Sequence, residues 1–236
     1  MNIVLFEALE PRNTLDLNDY RAKHIKKILK LKEGDSFKAG VINTSTGVST
    51  ITSVGEKSIE FTYTEEKPAE PLYPLTLLVG MVRPISMRRI LREAVSLGVK
   101  RLILVPTDTG EKSYVQAGLY TSGEYRSILL DGAMQSGHCQ LPEVVFTASL
   151  DEEYPYEGVK IALDNVEGSI SLDRVEMNPE QGATLAVGPE RGFSDRERIL
   201  LGERGFILAS FGTRILRTET ICSAAVGVLL SRLGFL

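Results

Sequence analysis

Gly188-Pro189-Glu190-Arg191-Gly192-Phe193-Ser194 and, further on, Gly212-Thr213-Arg214-Ile215-Leu216-Arg217-Thr218-Glu219-Thr220 decide how this chain is read. Each follows an apolar run, Thr184 to Val187 and Ile207 to Ala209, and each leads into a helical pattern. Strand–loop–helix corners of this kind can lie side by side at the carboxyl edge of an open α/β sheet. Backbone amides point outward there, and the missing Cβ of glycine lets a ligand come close. The pair predicts a small-molecule site.

Working outward, strands and helices alternate after residue 74. Leu75 to Val79, Leu102 to Val105, Val144 to Phe146, Ile161 to Leu163 and Leu185 to Val187 read as buried strands. Met87, Ile90, Leu91, Ala94 and Val95 keep helical spacing, with Gly98 placed as a C-cap. Glu124 to Ser136 reads as helix, and Ser194-Asp195-Arg196-Glu197 is a capping box that opens another, closed by Gly205. The alternation predicts an α/β fold with a mostly parallel sheet and helices on both faces.

Residues 1 to about 67 read differently. Asn2 to Phe6, Ser36 to Val41, Val48 to Val54 and Ser58 to Tyr63 form short strands broken by Gly34, Gly40, Gly47 and Gly55, which predicts a small barrel. Glu65 to Pro74 carries charge and three prolines and is the linker candidate. Two domains are expected, 1–70 and 71–236.

One segment of the first domain is basic. Tyr20 to Lys32 holds Arg21, Lys23, His24, Lys26, Lys27, Lys30 and Lys32 and no acid. As a helix it puts Lys23, Lys26, Lys27 and Lys30 on one face and turns Ile25, Ile28 and Leu29 inward. Such a face neutralises phosphates or is simply solvated. Arg83, Arg88, Arg89 and Arg92 form a second basic group. The final helix, about Thr220 to Leu233, is apolar all round, as burial within the chain or a dimer interface requires.

Composition bounds the function. The chain has 236 residues, 43% hydrophobic and 25% charged, with net charge −4. It is globular and not a polycation. Cys139 and Cys222 give neither a disulfide framework nor metal spacing, so no metal is expected. The N-terminus lacks a signal-peptide pattern, and no apolar run approaches the roughly 20 residues of a membrane helix. A soluble cytoplasmic protein is expected. Neither G-x-x-x-x-G-K-[ST] nor a strand-following G-x-G-x-x-G is present. His24 and His138 lack a nucleophile nearby, which removes acyl transfer. Glu190, Arg191, Arg214, Arg217 and Glu219 remain at the two corners. An arginine there can hold an anion or stabilise a developing one, or Arg217 can pair with Glu219 at the start of the helix.

Taken together, the two corner motifs resemble the RsmE family, SPOUT-superfamily methyltransferases that modify uridine N3 in 16S ribosomal RNA. Glu93-Ala94-x-x-Leu97-Gly98-Val99 agrees, as do Gln135-Ser136-Gly137 with Pro142, and His24 ahead of Ile28-Leu29-Lys30-Leu31-Lys32-x-Gly34-Asp35. The resemblance spans essentially the whole chain. It implies a SPOUT domain with a deep trefoil knot, a PUA-like N-terminal β-barrel that helps bind RNA, and a homodimer through the SPOUT domain. It also implies S-adenosyl-L-methionine as cofactor, with Leu163, Gly188, Pro189, Glu190, Gly192, Phe211, Gly212, Ile215 and Leu216 around it and Thr220 at its edge. The 16S rRNA or small ribosomal subunit is the implied partner, met by Arg21, Lys23, His24, Lys26, Lys27, Lys30, Arg83 and Arg88.

Arg217 is the expected catalytic residue, stabilising the uracil anion as N3 loses its proton; the base is open between Glu190, Glu219 and solvent. The chain departs from the family pattern at Arg191 (usually a second glycine), at His138 (usually arginine), and in Thr107 to Tyr114, where Lys112-Ser113 stands for the familiar arginine-serine. A superfamily methyltransferase with another rRNA or tRNA target, and a non-catalytic RNA-binding assembly factor, are the competing readings.

Overall fold

A computed structural model describes residues 2–236. It divides into two compact units, residues 2–71 with 133–141, and residues 72–132 with 142–236.

The first unit is built on a five-stranded sheet. Its strands are β1 (Val4–Phe6), β2 (Arg12–Asp16), β3 (Ser36–Val41), β4 (Ser45–Val54) and β5 (Ser58–Pro68), in the order β1-β3-β4-β5-β2. The pairs are antiparallel except β1 with β3. The sheet curls into a half-barrel, with β1 and β2 as its edges, in line with the small barrel read from the glycine-broken strands. Phe6, Phe37 and Phe61 fill its hollow, with ring centroids 5.5 and 5.6 Å apart. Residues 65–68, expected in the linker, extend β5 because Glu65, Lys67 and Pro68 sit opposite Gly47, Thr46 and Ser45. Only residues 69–72 then separate β5 from the next strand.

The basic segment departs most from expectation. Only α1 (Tyr20–Lys23) is α-helical; His24–Ile28 forms a wider π turn, and Lys30 takes a positive φ of 56°. The wider turn shifts the helical phase, so Ile25 is buried while Ile28 and Leu29 are 68% and 38% exposed instead of inward.

The second unit holds a seven-stranded, wholly parallel sheet. Its strands are β6 (Tyr73–Gly80), β7 (Val99–Val105), β8 (Glu143–Phe146), β9 (Val159–Leu163), β10 (Ile170–Ser171), β11 (Ala183–Val187) and β12 (Ile207–Ser210). Their order is β10-β12-β9-β11-β6-β7-β8. The central β11 is buried along its whole length, and its one polar side chain, Thr184, donates to the Glu157 carbonyl at 2.7 Å. The helices are α2 (Pro84–Ser96), α3 (Gly118–Thr121), α4 (Glu124–Ser136), α5 (Asp195–Glu203) and α6 (Thr218–Arg232). In α2, Pro84 stands in the first turn and Met87, Ile90, Leu91, Ala94 and Val95 are the buried face.

The chain leaves β6 toward β7 and β8 on one side and takes up β9 on the other, with β11 between. Leu163, Val187 and Val79 stand level at the carboxyl ends of β9, β11 and β6, and Ala209 of β12 stands beside Leu163. The loops after β9, β11 and β12 therefore start side by side at a topological switch point, where open α/β sheets bind ligands.

Candidate active site

These three loops wall a cleft of about 320 Å³. Leu163, Val187, Phe211, Leu216 and Ile221 supply apolar surface. Asp164, Glu190, Arg191 and Arg214 supply charge. The loop after β11 is shaped by its glycines. A Cβ on Gly188 would lie 2.8 Å from the carbonyl carbon of Gly192, so the chain doubles back too closely for any side chain. Gly192 has φ +70°, and its amide donates to the Pro189 carbonyl at 2.9 Å.

Side chains hold that loop in place. Glu197 is fully buried in α5. One of its carboxylate oxygens accepts from the Ser194 amide at 2.8 Å and the other from the Asp108 amide at 2.8 Å. The Ser194 hydroxyl accepts from the Glu197 amide at 3.1 Å, completing the capping box. The Thr109 hydroxyl donates to the Gly192 carbonyl at 2.6 Å. The Arg196 guanidinium and then the Ser194 hydroxyl hold the Asp108 carboxyl down at about 2. On the β9 side, Asp164 accepts from Arg198 Nε at 2.8 Å, and Arg198 also meets Asp195 at 2.6 Å. The loops after β7, β9 and β11 are thus joined through α5.

Of the expected cofactor residues, Leu163, Gly188, Pro189, Glu190, Gly192, Phe211, Ile215 and Leu216 line this cleft, while Gly212 and Thr220 do not. Ile215 is 92% exposed. Thr218, part of the second corner motif, also lines the cleft, as do Asp164 and Asn165, which carried no signal in the sequence because β9 meets β11 and α6 only in the fold. Arg217 lies between the lining residues Leu216 and Thr218 as the N-cap of α6, and its side chain is exposed.

Glu219 is pinned. Burial works to raise its carboxyl, but its own amide, the Ser86 hydroxyl and the charges of Arg217 and Arg83 together hold it below the ordinary value. Arg89 lies 3.7 Å away. Glu190 is exposed, and one of its oxygens accepts from the Arg83 amide at 3.3 Å.

The expected RNA-facing residues fall into two kinds. Lys23, Lys26, Lys27 and Lys30 are exposed. Arg21 pairs with Asp19 at 2.6 Å, donates to the Leu5 carbonyl at 3.1 Å and stacks on Phe6, so it is bound into its own unit. Arg88 is held by both oxygens of Glu124, at 2.7 and 2.9 Å. His24 is partly buried, and burial pushes its pKa down, which favours the neutral ring.

Comparisons with known proteins agree along the whole chain. Residues 68–230 match the RNA methyltransferase domain family, and residues 17–62 match the RNA methyltransferase PUA domain family. The chain is 35% identical to ribosomal RNA small subunit methyltransferase E of Treponema pallidum, over 98% of this chain and 91% of that one. It is 33% identical to ribosomal RNA small subunit methyltransferase E 1 of Borreliella burgdorferi, over 99% of each. Among solved structures, ribosomal RNA small subunit methyltransferase E from Neisseria gonorrhoeae bound to S-adenosyl methionine superposes with TM-score 0.81 at 22% identity over 98% of each chain. A predicted RNA methyltransferase from Thermotoga maritima superposes with TM-score 0.75 at 25% identity over 100% of each.

A parallel sheet with a three-loop cleft at its switch point, carried in this domain, is that of an RNA methyltransferase. The chain belongs to the ribosomal RNA small subunit methyltransferase E family.

Proposed function

We propose that this chain transfers the methyl group of S-adenosyl-L-methionine to N3 of a uridine in 16S ribosomal RNA. The observation that carries this reading is the cleft at the ends of β9, β11 and β12, walled by glycine turns on one side and apolar side chains on the other. Its residues fit the cofactor. Gly188 and Gly192 let the loop fold back on itself at the cleft, and Leu163, Val187 and Leu216 suit the face of an adenine. The volume falls in the range of small-molecule pockets.

When bound, the cofactor supplies a sulfonium methyl that is already electrophilic. The work left to the protein is to hold the uracil in line and ease loss of the N3 proton. Arg217, exposed beside the cleft and in no ion pair among the described residues, though its charge acts on Glu219, stabilises the uracil anion. Glu219 is tied to α2 by Ser86 and Arg89, which leaves Glu190 or solvent to take the proton.

In this reading residues 1–70 are the RNA-binding domain and residues 71–236 the catalytic domain, which carries the trefoil knot. The working form is a cytoplasmic homodimer joined through the catalytic domain.

Nucleoside mass spectrometry of rRNA from a deletion strain tests the function. Loss of 3-methyluridine is expected. An unchanged level overturns the assignment, and loss of a different methylated nucleoside redirects it to another target. For Arg217, Arg217→Ala should cut turnover at saturating RNA and cofactor; normal turnover would refute its role.

A further inference from the structure

A second cleft, of about 370 Å³, adjoins the first and shares Glu190 and Arg191 with it. Arg83, Thr109, Gly110, Glu111 and Tyr114 complete its lining. Two features bear on what this cleft holds.

The first is an idle ring. The chain has 8 tyrosines. Tyr73, Tyr120, Tyr125, Tyr154 and Tyr156 pack against other aromatic rings. Tyr20 lies beneath the Arg21 guanidinium, and the Tyr63 hydroxyl bonds Ser45. Tyr114 alone has neither a ring, a cation nor a hydroxyl partner among the described residues, although it is only partly exposed. It stands in a short 3-10 turn, Lys112–Gln116, whose first turn is capped by the Glu111 carboxylate.

The second is free positive charge. Arg88, Arg101, Arg196 and Arg198 each hold a carboxylate at 2.9 Å or less. Arg204 and Arg232 donate to backbone carbonyls. Arg191 makes no such bond, and the Arg83 side chain reaches only the Ser86 hydroxyl, at 3.3 Å. Neither guanidinium is ion-paired among the described residues, although Glu111 and Glu190 line the same cleft and the Arg83 charge also acts on Glu219. An unstacked aromatic face beside such guanidinium groups is the chemistry that takes single-stranded nucleotides: the base stacks on the ring and the phosphates meet the cations.

We propose that this second cleft receives the acceptor nucleotide, an unpaired pyrimidine whose base stacks on Tyr114 and whose flanking phosphates are held by Arg83 and Arg191. The inference rests on the first cleft being the methyl-donor site. Because Glu190 and Arg191 line both clefts, donor and acceptor meet across them with no other residue shared between the two linings. A base reaches such a site only when it is out of its stack, which restricts acceptors to loops, bulges or flipped positions. Arg191 is then a positioning residue with a hand in each cleft.

The test uses the full-length protein and an rRNA fragment carrying 4-thiouridine at the methylated position. After irradiation, the cross-linked peptide is expected to include Tyr114; cross-links confined to peptides outside 109–118 and 190–191 would overturn the proposal. In steady state, Tyr114→Ala should raise KM for RNA about tenfold, equivalent to about 1.4 kcal/mol. Calorimetric affinity for S-adenosyl-L-methionine should stay the same, and Tyr114→Phe should restore KM. A Tyr114→Ala protein with unaltered KM for RNA sinks the acceptor site while leaving the enzyme's activity standing. Absence of methylation by the unaltered protein on any rRNA would instead sink the function on which the proposal rests.

Discussion

Single residues fix the loop on which both clefts depend. Glu197 satisfies two amides from different loops with one buried carboxylate. Glu197→Ala strands both, and a buried donor without a partner costs on the order of 1–3 kcal/mol. Urea unfolding should show a loss of that size, whereas a surface-like change within about 0.5 kcal/mol would contradict the bonding described. Gly188→Ala acts differently. The added carbon meets backbone at 2.8 Å, so the loop must shift. Calorimetry should find cofactor affinity weakened by roughly tenfold or more.

Asp108 gives a pH signature. Its folded carboxyl lies below the ordinary 3.8, at about 2, because Arg196 and Ser194 favour the ionised form. Its support for the fold is therefore complete above 3.8 and is lost as pH falls toward 2. Asp108→Asn should flatten the acid limb of a circular-dichroism titration in that window; an unchanged limb would refute the linkage. At this scale the sequence was partly legible. Ser194 and Glu197 announced their capping box by spacing alone. Asp108 and Asp164 did not, because their partners lie 88 and 34 residues away.

Elements were legible where burial is continuous or periodic and hidden where it is neither. β11 and α2 show themselves in apolar runs and helical spacing. β2 has one buried residue in five, and β10 is two residues long, so neither leaves a pattern. The basic segment misled because its spacing suits an α-helix, while the chain forms a π turn and ends it at Lys30. The result presents Ile28 and Leu29 to solvent among exposed lysines. Lys26→Gln, Lys27→Gln and Lys30→Gln should each lower RNA affinity and reduce the slope of log affinity against log salt by roughly one, measured by fluorescence anisotropy. An unchanged slope would mean that these lysines are merely solvated.

At the scale of the molecule, the alternation of strands and helices was enough to read a parallel sheet, but the strand order was not. Nothing local in β11 says that it inserts between β6 and β9. The apolar periphery of α6 left burial and association equally open. Within the chain its Cys222, Ala225, Val226, Leu229 and Leu230 are buried, while Ala224, Gly227 and Val228 stay partly exposed. The proposed homodimer predicts a light-scattering mass twice the 26.0 kDa of the chain. A mass equal to one chain at micromolar concentration would rule it out.

The division of the chain sets an order of events during synthesis. The half-barrel comes off the ribosome first but is incomplete at residue 71. The amides of Asn2 and Ile3 still await the Met134 carbonyl, and Asn43 awaits Cys139 and Leu141. Until residues 133–141 appear, β1, the edge strand that these bonds adjoin, stays open to mispairing. Farther along, Leu75 waits for Ala183, so β6 has no partner on that side until most of the polypeptide has been made. Completion of both sheets is therefore timed by translation of the later half of the chain.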